Sequence, residues 1–179
     1  MTIRSLPIAD IKNQWLSQHI DVKFPTKESV AGCALYQRSL EARIYQVWQP
    51  DPTNDGNAFG LQEIYLVDFH RLTVMFSILQ SQQWVDEKEQ AEVLEFFTQI
   101  ILSPPCDLYV AFNDGIPAAA AIVTQTDDSI LVSDIVLISN IVVAGEQVND
   151  HLALSFASQL INQMYCADID TKTIYIEKK

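Results

Sequence analysis

Basic side chains are in short supply: 11 Lys and Arg stand against 23 Asp and Glu, a formal net charge of −12. A surface of that sign repels the phosphate backbone of nucleic acids and anionic lipid headgroups, and no Lys/Arg cluster offers a local exception. Nucleic acid and membrane are therefore not expected as partners. Glycine is also scarce, at 5 residues, and none of the strings G-x-S-x-G, G-x-x-x-x-G-K-S/T or G-x-G-x-x-G occurs. Nucleophile elbows and nucleotide cradles are thus absent in recognisable form. Cys33, Cys106 and Cys166 are odd in number, far apart and without C-x-x-C spacing. That pattern predicts reduced thiols in a cytoplasmic protein. His19, His70 and His151 are equally scattered and share no metal-ligand spacing, so no metal is expected. No apolar run reaches the length of a signal peptide or membrane span, the run Ile116–Val123 falling far short.

What is present suits a buried core. Of the 179 residues, 49% are hydrophobic, enough for one core or one core with a small appendage. No repeat of solenoid length and no low-complexity segment interrupts the chain.

Periodicity predicts the elements. Residues 7–18 place Ile8, Ile11, Trp15 and Leu16 on one face behind a proline suited to a first helical turn. The stretch 28–40 reads equally as helix or strand. "EARIYQVWQ" and "LQEIYLVDF" read as strands separated by "PDPTNDGNAFG", a hairpin with a long tip. Two helices follow. The first carries Leu72, Met75, Phe76 and Leu79 on its stripe; the second carries Ala91, Leu94, Phe97 and Ile101 behind an acidic first turn, with Pro104 and Pro105 as a stop. "DLYVAFNDGIPAAAAIVTQ" is the clearest hairpin, turning at Asn113, Asp114 and Gly115. "ILVSDIVLISNIVV" is a long buried strand. A helix from Asn149 then has Leu152, Ala153, Phe156, Ala157, Leu160, Ile161 and Met164 as its apolar stripe, and "KTIYIEK" is a last strand. The order predicts a mixed α/β (α+β) fold in which an antiparallel hairpin feeds a strand-helix-strand unit.

From about Leu61 onward, the strand "EIYLVD", the two helices, "LYVAFNDGIPAAAAIV", "ILVSDIVLI" and the following helix resemble, in kind and order, the GNAT family of acyl-CoA-dependent N-acyltransferases. The likeness implies a GNAT-like mixed sheet over residues 61–179, with residues 1–60 as a helix and hairpin extension packed on it. It implies acetyl-CoA or another acyl-CoA as cofactor and a small-molecule or peptide amine as acceptor. The pantetheine would lie along residues 131–139, with Ile135, Val136 and Leu137 beside it, where the long strand splays from its neighbour.

The family's pyrophosphate motif, R/Q-x-x-G-x-G/A, uses backbone N–H groups at a helix N-terminus. On this chain it falls on residues 148–153, implying contacts from Val148, Asn149, His151 and Ala153; only Ala153 matches the pattern. Asp150 would bring a like charge to the phosphate, at a cost on the order of several kcal/mol. Helix capping by Asn149 and Asp150, worth about 1 kcal/mol each, is the competing reading. The family's general base falls on Asp134, for which burial in the strand would raise the pKa toward neutrality. Asp134 facing solvent or a hydrogen-bond partner at the sheet surface is the equal alternative. The family's C-terminal acceptor-shaping strands have no counterpart here, unless residues 41–67 substitute for them. Tyr165 and Tyr175 do not match its general acid, and read as packing residues. Two functional classes follow: an atypical N-acyltransferase, or a non-catalytic binding or assembly protein of the same shape. Aromatic residues on the N-terminal hairpin would suit a homodimer contact.

Overall fold

A computed structural model describes residues 3–50, 63–138, 150–164 and 171–178, apart from the side chains of Asp150 and His151. The described elements are α1 (Pro7–Gln18), α2 (Lys27–Ser39), β1 (Ile44–Val47), β2 (Glu63–Leu66), α3 (His70–Ser81), α4 (Glu87–Thr98), β3 (Cys106–Asn113), β4 (Ile116–Gln125), β5 (Ser129–Leu137), α5 (Asp150–Gln163) and β6 (Thr173–Lys178). The strands form one mixed sheet in the order β1-β6-β5-β4-β3-β2. Among the described residues, only β5 and β6 pair in parallel, joined across α5. The mixed α/β class expected from the sequence is the class observed. Among the described residues, no helix is long and apolar enough to cross a membrane.

The β3–β4 hairpin forms as predicted. Asp114 and Gly115 sit at φ 49° and 77°, the left-handed pair that matches the twist of a two-residue turn. Because helices cover both faces of the sheet, β4 reads as an almost unbroken apolar run. Its Ala120 and Ile122 join a cluster with Trp15, Leu16, Tyr36, Phe76 and Phe97, on the side of α1–α4. Its Ala119, Ala121 and Val123 face the other way, against Phe156, Ala157, Leu160 and Ile161 of α5.

Two expectations change and one open alternative is resolved. β1 and β2 do not form a hairpin; they lie at opposite edges of the sheet. β1 pairs with β6, and Ile3 bridges to Tyr45 of β1. Within the span 1–60, expected as an extension packed on the core, the described residues supply an edge strand and core side chains such as Trp15, Leu16 and Tyr36.

The ambiguous stretch 28–40 is mostly helix α2, capped by Thr26, whose side chain accepts from the Ser29 N–H. It lies so close to α4 that a Cβ on Gly32 would stand 2.0 Å from the Glu92 carbonyl oxygen. The buried face of α4 is also rotated from its predicted stripe. Val93, Phe96 and Phe97 are buried while Ile101, past the helix end, is exposed. The stripe fails because α4 packs against both α2 and α3.

Candidate functional site

β5 changes character at one residue. From Ser129 to Val132 it pairs with β6 in regular register, Val132 opposite Ile176. Beyond that, β5 runs on to Leu137 without a further β6 partner in the ladder. On its other edge the register with β4 slips: Ile122 faces Ser133 and Ala120 faces Val136, so Asp134 and Ile135 together oppose Ala121. This is a β-bulge, and Asp134 carries the kink at φ 52°, a conformation that Asp tolerates better than most residues.

The bulge aims the Asp134 carboxylate into the helix layer, where it is fully buried. Oδ2 accepts from Lys12 Nζ at 2.8 Å and Ser133 Oγ at 3.1 Å. Oδ1 accepts from Arg43 Nη1 at 2.5 Å and Tyr36 Oη at 2.9 Å. Lys12 also donates to Tyr36 Oη, and Gln80 Nε2 donates to the Asp134 carbonyl at 2.6 Å. Both Glu177 carboxylate oxygens lie 3.0 Å from Arg43 Nη1, and Oε1 accepts from the Asp134 N–H at 3.1 Å. The formal charges of Lys12, Arg43, Asp134 and Glu177 cancel. Arg43 further stacks its guanidinium 5.0 Å from the Tyr36 ring centroid, a geometry of cation–π attraction.

The electrostatics reverse the pKa expected for Asp134. Burial pushes the carboxyl up, but the charges of Arg43 and Lys12, with their hydrogen bonds, outweigh it and hold Asp134 well below the usual carboxylate range. Burial and the adjacent Asp134 charge push the Tyr36 hydroxyl well up. Arg43 is held in its charged form: burial opposes that, and Asp134 leads the groups that overcome it. An ionised carboxylate offers about four acceptor sites, and those of Asp134 are taken. A carboxylate so acidic, saturated and closed to solvent is poorly matched to removing a proton from an amine near neutral pH.

The other expected site residues are partly accounted for. Ile135 and Val136 are largely buried. Ile135 packs in the cluster beneath α5, with the half-buried Leu137 and Ala153 against it. His151 lies in the first turn of α5, and its side chain is not described. Val148 and Asn149, the first two residues of the proposed pyrophosphate motif, lie outside the described residues. Cys33 and Cys106 are free and buried.

Lys12, Tyr36, Gln80, Arg43 and Glu177 were not foreseen. One signal for Lys12 existed: it stands four residues from both Ile8 and Leu16, a cation on the apolar face of α1. In β6, likewise, Glu177 follows an alternation in which Ile174 and Ile176 face α5.

No protein-family model matches the chain, and the search of curated proteins found no match.

Proposed function

We propose that this chain is a non-catalytic binding or assembly protein built on an N-acyltransferase-like frame. The frame is suggested by the sequence β2-α3-α4-β3-β4-β5-α5-β6, with β5 and β6 parallel and their ladder ending at Val132 and Ile176. One observation carries the non-catalytic reading: the residue placed to serve as base, Asp134, has every acceptor site engaged and its own N–H bound by Glu177. A ligand lying along this part of β5 meets a site already filled from within.

The second reading, an acyl-CoA-dependent N-acyltransferase of atypical type, is favoured by β5 running on to Leu137 past the end of its β6 ladder. In that case Asp134 is a structural anchor, and the base is supplied by another group or by water.

Thermal unfolding with and without acetyl-CoA separates the two. A ligand at 100 times its dissociation constant adds about 2.7 kcal/mol to stability. The non-catalytic reading expects no shift at millimolar coenzyme; a saturable rise in melting temperature would restore the enzyme reading.

A further inference from the structure

The carboxylate bound beside the end of the β5–β6 ladder belongs to the protein itself. Glu177 stands near the chain terminus on β6, opposite Tyr45 of β1. Its backbone follows the last β5–β6 pair, Val132↔Ile176. Its carboxylate is held by the Arg43 guanidinium, with both oxygens at 3.0 Å, and by the Asp134 N–H at 3.1 Å.

A guanidinium and a backbone N–H converging on one carboxylate make a recognition site for that group. The bulge builds this one. By setting Asp134 in a left-handed conformation, it turns a ladder amide away from regular pairing, and that amide is bound by Glu177. Arg43 is fixed independently by Asp134 and by Ser39 Oγ at 3.2 Å, so the cradle does not depend on Glu177 for its shape.

We infer that Glu177 is an internal ligand, a cis-acting plug that fills a carboxylate-binding cradle made by Arg43 and the Asp134 N–H beside the end of the β5–β6 ladder. With Glu177 removed, Arg43 and Lys12 face the single carboxylate of Asp134, and the cradle takes a small external carboxylate. The link between this cradle and coenzyme rests on the N-acyltransferase-like frame proposed above; the cradle itself does not.

The test is chemical rescue. Glu177→Ala removes the equivalent of one acetate, so acetate restores most of the melting temperature the variant loses. Acetamide, or chloride at equal ionic strength, does not, and wild type is indifferent to acetate. Glu177→Gln keeps an acceptor and the volume, and gains no acetate response. If Glu177→Ala does not fold alone, acetate must restore folding. Acetyl-CoA is the second arm. Acetate rescue with an acetyl-CoA shift in Glu177→Ala but not in wild type supports both the plug and the frame. Acetate rescue without any coenzyme response supports the plug alone, the coenzyme-derived frame then failing. Three results overturn the plug: no selective acetate rescue, an equal acetate response in Glu177→Gln, or an acetyl-CoA shift as large in wild type as in Glu177→Ala.

Discussion

The two halves of β5 share a strand and a β4 partner, and differ in their pairing with β6 and in the charge they bury. Ser129–Val132 is laddered on both edges, and Ile130, Leu131 and Val132 are apolar and buried. Ser133–Leu137 has lost its β6 ladder, contains the bulge, and places Asp134 among four buried charged side chains. The contrast shows where polarity enters a core. A regular ladder satisfies its own backbone, so its side chains can be hydrocarbon. Where the ladder ends, backbone groups need partners, and here side chains provide them: Glu177 for the Asp134 N–H and Gln80 for its carbonyl. Buried charges then require counter-charges from elsewhere in the fold.

The sharpest break of this comparison is Asp134→Ala. It leaves Lys12 and Arg43 buried with only Glu177 to balance them, and breaking a buried ion pair by removing one partner costs about 3–5 kcal/mol. Denaturant unfolding at neutral pH measures it. A loss under about 1 kcal/mol, the scale of an exposed pair, would mean the charges are not buried as described. A double variant, Lys12→Met with Asp134→Ala, removes one charge of each sign and loses less than the sum of the two singles.

Leu131→Ala probes the apolar half. It truncates a fully buried side chain, at an expected cost of about 3 kcal/mol. Its signature differs from that of Asp134: the loss is insensitive to salt and to pH, so a strongly pH-dependent deficit would show that the two halves are not separable.

The smallest effect is a pH dependence of the gap between wild type and Asp134→Asn. The folded-state carboxyl of Asp134 lies below its unfolded value. Its stabilisation is therefore complete above the ordinary carboxylate pKa of about 3.9 and lost as pH falls below it. The margin over Asp134→Asn stays constant above about pH 5 and narrows in more acidic solution. A margin that instead changed through neutrality would restore a carboxyl with a raised pKa, and with it the case for a base.

Much of the fold was legible in local sequence. Pro7 and the Ile8/Trp15/Leu16 spacing marked α1, and Asp114-Gly115 marked the β3–β4 turn. The Phe156/Ala157/Leu160/Ile161 stripe marked the buried face of α5. These signals rest on backbone preference and on side-chain periods of 3.6 and 2. The candidate site was legible only as the position of Asp134. Its partners were not, because nothing local to "LVSDIVL" says that Lys12, 122 residues away, or Arg43, 91 residues away, packs against it.

The sequence by itself determined the acidic balance, most of the helices and strands, the tight hairpin turn and the burial of β5. Each follows from composition or from interactions between residues a few positions apart. Tertiary structure alone decided that β1 and β2 sit at opposite edges, that the β5–β6 ladder ends at Val132, and that Asp134 is held as a carboxylate by buried Lys12 and Arg43. Strand pairing and the charge state of a buried group both depend on distant partners, and a carboxyl's affinity for its proton is set by the charges packed around it in space.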